Sequence, residues 1–255
     1  MSITCYKIFD GCLCGQFPIM EETSMMISTP DGQSSSHRQS DHALACIKNE
    51  IVSCRLAPGA HFSEAELSNR YGLARAATRA ALTRLTDVGL VQPVPRHGFI
   101  VTPITVASLR ELFELRLMIE PQAAALAVGR LDPAHLRAIN AAPQNAKSKT
   151  EQLAFVDSNR AFHSEIARSS GNRRLFALLE TLADEMQRLV HLGLFGPGGS
   201  VHEQREADAQ HEALIAAFEA GDAQAVQQAS RLHIEHSRAL AMDRIVKGLA
   251  PLVLA

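Results

Sequence analysis

Residues 61–99 read HFSEAELSNRYGLARAATRAALTRLTDVGLVQPVPRHGF, and this stretch decides the fold of the first part of the chain. Ser63 followed three residues later by Glu66 is a capping box, in which each side chain satisfies an amide the other end of the turn leaves open. It predicts a helix whose apolar side is Ala65, Leu67 and Tyr71. Gly72 ends that helix, because a helix C-terminus favours a residue that tolerates positive φ. Leu73 leads into a second helix over about 74–88, with Leu82 and Leu85 facing inward. Arg75 and Arg79 lie one turn apart on the other face, with Thr78 between them. VQPV and FIVT then alternate as short strands around the tip Pro95-Arg96-His97-Gly98. Helix, glycine turn, helix and two-stranded tip is the order of a winged helix-turn-helix. Two guanidinium groups near the start of the second helix suit a major groove, where arginine pairs bidentately with guanine edges. Two arginines on an exposed face also read as a solvated surface, and the order of the elements favours the first reading.

GLARAATRAALTRLTDVGLV, with Ala57-Pro58-Gly59 as the turn before it, resembles the GntR family of bacterial transcription regulators, and the match spans about 41–103. The resemblance implies double-stranded DNA as a partner, with Arg75, Thr78 and Arg79 on the reading helix. It implies that Arg96, His97 and Gly98 present the wing to the minor groove. Ala74 stands where the family usually has a Ser or Thr cap, which removes roughly 1 kcal/mol of capping. Ala65 stands where some members carry a DNA-contacting Arg. Both departures bear on which operator is read.

At 255 residues the chain is long enough for two domains. Its hydrophobic content is that of an ordinary globular protein, and no apolar run approaches the roughly 20 residues of a membrane helix. The net charge of −2 hides a gradient: residues 41–103 hold seven Lys/Arg against five Asp/Glu, so the DNA-reading module is mildly basic on a mildly acidic chain. Residues 1–40 read as a disordered tail ending in the polar linker TPDGQSSSHRQS. Met20, Met25 and Met26 are internal candidates for the true start. The five cysteines form no paired framework, which places the chain in a reducing cytoplasm. Cys46 and Cys54 read as small core residues of a helix over 41–54, in which Ala43, Ile47 and Ile51 recur at four-residue spacing. Cys12-x-Cys14 in the tail is a candidate redox or metal pair.

Residues beyond Pro103 read as six helices: about 107–129 with a bend at Pro121, a short one capped by Asp132, then about 149–170, 173–194, 202–220 and 223–247. The chain is therefore mainly α, with a winged helix-turn-helix over 41–103 and an all-α antiparallel bundle over 104–248. Asn159 and His163 are four apart and share a helix face. His211 and His233 stand on the last two helices. Three imidazoles and one amide oxygen converging in a bundle interior make a cation site, although histidines on helices are more often surface or satisfied core residues.

ELRLMIEPQAAALA, NRAFHSEIARSSGN and HEALIAAFEAGDAQAVQQASRLH resemble the FCD domain, the ligand-sensing half of the FadR branch of GntR regulators, over about 107–240. The resemblance implies a divalent metal, zinc first with nickel or manganese as alternatives, on Asn159, His163, His211 and His233. Asn159 occupies the usual Asp position and brings no charge. It further implies that Arg116 grips a small carboxylate effector beside the metal, the alternative being a structural Arg116–Glu120 salt bridge. Arg188 and His191 are further candidates for the effector cavity. A regulator of this kind works as a homodimer on an inverted-repeat operator. Two other functions fit the same residues: a metal-dependent hydrolase or lyase with an accessory winged domain, and a regulator that answers to metal alone. His211-Glu212 begins like a metalloprotease helix, but position 215 is Ile, so H-E-x-x-H is not completed.

Overall fold

The structure, a computed structural model, describes residues 32–141, 148–194 and 201–246. The chain divides into two compact units, one of residues up to Asn49 with His61–Ile100, the other of Glu50–Ala60 with Val101 onward. In the first, α1 (Gly32–Val52) is followed by β1 (His61–Phe62), α2 (Glu64–Tyr71), α3 (Arg75–Asp87), β2 (Val91–Val94) and β3 (Gly98–Val101). The last residues of α1 belong to the second unit. α1 begins in the segment expected as a disordered linker. Once an amphipathic helix is nucleated, extending it adds one hydrogen bond per residue fixed. A His37–Asp41 pair at 2.8 Å, one turn apart, adds to that extension.

The capping box at Ser63 and Glu66 is formed, and Gly72 closes α2 at φ 64°. Ala74 caps α3 without a side-chain bond. Ala43, Ile47, Leu67, Ala81, Leu82, Leu85 and Val91 fill the core of this unit. Ala65 instead faces solvent, because Leu67 and Tyr71 already cover the buried side of this short helix. The strand order is β1-β3-β2, and β1 pairs antiparallel with β3 through Phe62 opposite Phe99. The strand β1 lies outside the two the sequence suggested, since two residues are too few to show a period. It explains Gly98, whose φ is 83° and where a Cβ would fall 2.5 Å from the carbonyl oxygen of Phe62.

The second unit holds six helices among the described residues: α4 (Val106–Ala127), α5 (Pro133–Asn140), α6 (Lys149–Ser169), α7 (Arg173–Leu194), α8 (Val201–Ala220) and α9 (Ala223–Val246). Thr105 and Ser108 close a capping box on α4, and the helix continues through Pro121. Asp132 caps α5 ahead of Pro133, where a proline lacks no needed amide. α4 lies against α9, α6 and α7, and α8 against α9 and α5. Phe162, Leu136, Ile215, Phe218 and Val226 centre one cluster of the core; Phe113, Leu109 and Ile234 centre another. Cys46 and Cys54 are half-buried, and Cys54 lies past the end of α1, in a turn at φ 55°. Cys5, Cys12 and Cys14 lie outside the described residues.

Candidate functional site

Two groups of side chains have the character of a site. The first is the exposed face of α3 and the wing. Arg75 and Arg79 are exposed, as are Arg96 and His97. Arg79 is held by a forked pair with Glu64 on α2, Nε donating to Oε2 at 3.0 Å and Nη2 to Oε1 at 3.2 Å. Arg96 sits at the wing tip with φ 66°, a left-handed conformation that turns the chain between the strands. Thr78 corrects the expectation from sequence. It is fully buried, its hydroxyl accepting from Ser68 at 3.0 Å and donating to the Ala74 carbonyl. At three residues from Arg75, Thr78 had been placed on the reading face. The short helix rolls instead so that Ala77, Thr78, Ala81, Leu82 and Leu85 face inward, and Thr78 pins α3 to α2.

The second group lies inside the bundle, around a cavity of about 120 Å³. Arg116 and Glu120 of α4, Asn159, Arg160 and His163 of α6, Met186 of α7 and His233 of α9 line it. The volume is small beside the roughly 300–1,000 Å³ of drug-sized ligand sites.

His163, His211 and His233 come from three helices, and their ligating atoms all lie within 4.8 Å of one another. Ring centroids are 5.3 Å apart for His163 and His211, 5.0 Å for His163 and His233, and 4.9 Å for His211 and His233. Phe162 stacks on the His211 ring at 4.1 Å and fixes its plane. Asn140 fixes its tautomer. The Asn140 amide nitrogen donates to Asp208 at 3.0 Å and Glu212 at 3.1 Å, so its oxygen is the atom 2.8 Å from His211 Nδ1. An oxygen there accepts, so Nδ1 carries the proton and Nε2 offers a lone pair. That Nε2 is buried without a hydrogen-bond partner. The Gln210 side-chain oxygen stands 3.1 Å from His233 Nδ1 and orients that ring in the same way. Burial holds the His211 imidazole down to about 3 and lowers His163 and His233 well below the usual range, the neighbouring imidazoles and Arg116 adding to the effect on both. Neutral rings clustered this closely, one of them with an oriented and unpartnered Nε2, are what a divalent cation of borderline softness requires, so the residues present fit such an ion. Asn140 and Gln210 carry no mark in the sequence, because their role exists only where α5 and α8 bring them to an imidazole.

Arg116 is buried and its guanidinium is taken up. Nε and Nη2 bond the Glu120 carboxylate, the latter at 3.1 Å, and Nη1 meets the Met186 sulfur at 3.1 Å. Arg188 corrects a second expectation. It is buried away from the cavity, with Nη2 on the carbonyl of Thr102, while the Cys54 thiol lies 3.7 Å from the Arg188 carbonyl oxygen. Met186, Leu189 and Val190 share the cavity face of α7, and Arg188, two residues past Met186, falls on another face. Burial lowers its pKa from the ordinary arginine value. His191 also lies outside the cavity lining. No helix among the described residues is long and apolar enough to cross a membrane.

A winged helix with exposed arginines, followed along the chain by an all-helical bundle, is the build of a DNA-binding transcriptional regulator. Comparison with known proteins agrees. The sequence matches the family described as bacterial regulatory proteins, gntR family, over residues 39–101, and the FCD domain over residues 111–236. The chain belongs to the GntR family of transcriptional regulators, in the group with an FCD domain. It is 24% identical over 194 residues to YdhC of Bacillus subtilis, named an uncharacterized HTH-type transcriptional regulator, covering 74% of this chain and 85% of that one. It is 25% identical over 192 residues to the HTH-type transcriptional repressor RspR of Escherichia coli, covering 74% and 82%. The solved structure of E. coli McbR/YncC superposes with a TM-score of 0.71 at 25% identity, covering 81% of this chain and 98% of that one. All three bear the names of transcriptional regulators, which favours the regulator reading over the hydrolase or lyase one.

Proposed function

We propose that the chain binds an inverted-repeat operator as a homodimer and changes its affinity when a small carboxylate is held at a divalent metal in the bundle cavity. His163, His211 and His233 would hold the ion, with Asn159 lining the same cavity, and zinc, nickel or manganese suits the donor set. When bound, the metal supplies a positive pole that attracts a carboxylate oxygen. This chain's own groups give that pole its selectivity. The formal charges on the cavity wall, Arg116 and Arg160 against Glu120 and Glu180, cancel, and the imidazoles are neutral. A divalent ion therefore leaves the cavity with a net positive charge that an anion offsets. Arg75 and Arg79 would read the operator from α3, and Arg96, His97 and Gly98 would follow the adjacent groove. The observation that carries the reading is the buried, unpartnered Nε2 of His211, oriented by Asn140 toward two other imidazoles. Coupling between effector and DNA of this kind is typically about 1–3 kcal/mol.

A second reading, a regulator that answers to metal alone, has one observation in its favour: the Arg116 fork is already taken by Glu120. Fluorescence anisotropy on operators selected by the purified chain from random DNA separates the two. Release of the zinc-loaded protein by metabolic carboxylic acids supports the first reading. Release by chelator with no response to any acid supports the second. DNA binding indifferent to both overturns the metal-pocket mechanism.

A further inference from the structure

Glu120 stands where two demands meet. Its Oε2 accepts from Arg116 Nη2 at 3.1 Å and lies 4.0 Å from His163 Nδ1. It is largely buried, with 15% of its side chain exposed, and it lines the cavity with Asn159, His163 and His233. Each of the three imidazoles thus has a side-chain oxygen on its Nδ1 side. For His211 it is the Asn140 amide at 2.8 Å, for His233 the Gln210 amide at 3.1 Å, and for His163 the Glu120 carboxylate at 4.0 Å. Two of these oxygens are neutral and within hydrogen-bond reach. The third is a carboxylate, and it stands about 1 Å beyond hydrogen-bond reach. A ring whose Nδ1–H is held in this way offers Nε2 as its lone-pair donor, and the ligating atoms of the three rings lie within 4.8 Å of one another. The pattern also puts a negative charge next to a cluster whose other oxygen donor, Asn159, has none.

We propose that Glu120 is the charge-bearing positioning residue of the histidine centre: its carboxylate takes the Nδ1–H of His163, turns Nε2 toward the cation, and supplies the negative charge that Asn159 lacks. The inference rests on the metal-site reading above. A carboxylate behind a ligating imidazole raises its basicity and fixes its ring, and loss of such a partner typically costs about 10–100-fold in metal affinity. Arg116 is the partner Glu120 then shares. The nearer Glu120 comes to His163, the more of the Arg116 fork is open to an incoming carboxylate. One side chain thereby links the metal to the arginine.

The test uses the full chain and Zn²⁺ alone, titrated against a chromophoric chelator. Glu120→Gln keeps shape and removes charge, and its zinc affinity is expected to fall about 10-fold or more. Glu120→Asp keeps the charge and is expected to recover part of the loss. Asn159→Asp in the Glu120→Gln background places charge on the other side of the site and is expected to restore binding. Long-range ¹H–¹⁵N spectra of the histidine rings in zinc-loaded wild type give a readout that folding does not move: His163 is expected as the Nδ1–H tautomer with Nε2 on zinc. Zinc on Nδ1 of His163 would overturn the proposal, even were Glu120→Gln to misfold. Glu120→Gln binding zinc as wild type does, while His163→Ala fails to bind it, would also overturn it and leave the metal site standing. Wild type that takes up no zinc would sink the metal-site reading itself, and this inference with it.

Discussion

Replacing Asn140 by alanine separates a metal centre from a merely buried histidine cluster. Asn140 makes three contacts at once: its oxygen holds His211 Nδ1 at 2.8 Å, and its amide hydrogens reach Asp208 and Glu212 at 3.0 and 3.1 Å. The side chain lies on α5 and His211 on α8, so the bond spans two helices. With alanine there, His211 is free to take its other tautomer and present a protonated Nε2 to the cluster, a form that binds no cation. Loss of an orienting partner of this kind typically costs about 10–100-fold in metal affinity, or about 1.4–2.7 kcal/mol. The variant also leaves a buried His211 Nδ1–H without an acceptor, which costs stability of about 1–3 kcal/mol. Chelator competition with Zn²⁺ at a temperature well below unfolding measures the first quantity, and thermal denaturation of chelator-treated protein measures the second. The expected outcome is weaker zinc binding by one to two orders of magnitude, with DNA binding of the zinc-saturated variant unchanged. An affinity within two-fold of wild type, with His211→Ala binding no zinc, would show that the ring needs no second partner and would refute the tautomer argument.

Other outcomes are expected of the same structure. Arg75→Ala should cost about 1–3 kcal/mol in operator affinity, the worth of one bidentate base contact, with an unchanged circular dichroism spectrum. Thr78→Val should lower the thermal midpoint, because the Ser68 hydroxyl loses its acceptor, while operator affinity below that temperature stays within about two-fold. A large and selective loss of DNA binding would restore Thr78 to the reading face. His211→Ala should leave DNA binding intact and abolish the response to metal and to any acid that acts through it, measured by anisotropy. Acid should unfold the chelator-treated protein through its histidines. His211 is held down to about 3 in the folded chain against about 6.5 in the unfolded one. Its neutral form therefore favours folding fully above about pH 6.5, and that contribution is lost as pH falls toward 3. His163 and His233 shift the same way. The thermal midpoint of His211→Gln should accordingly fall less steeply than that of wild type between pH 7 and 4.

The winged helix-turn-helix was legible because its signals are local. A Ser63–Glu66 capping box, a left-handed Gly72 and an arginine pair one turn apart are separated by fewer residues than a helix needs to form. The short helix of the bundle was legible for the same reason, from the cap Asp132. Histidines at 163, 211 and 233 were legible as candidates, since residue type and helix register put them on inward faces. Sequence alone could not rotate α3 far enough to bury Thr78, nor turn Arg188 toward Thr102, because a helix's final roll is set by what packs on it. Nor could it reveal that Asn140 serves His211, that Gln210 serves His233, or that Glu120 stands between Arg116 and His163. Caps and turns are settled by neighbours along the chain. The orientation of an imidazole is settled by an oxygen some twenty to seventy residues away, which only the packing of helices brings within reach.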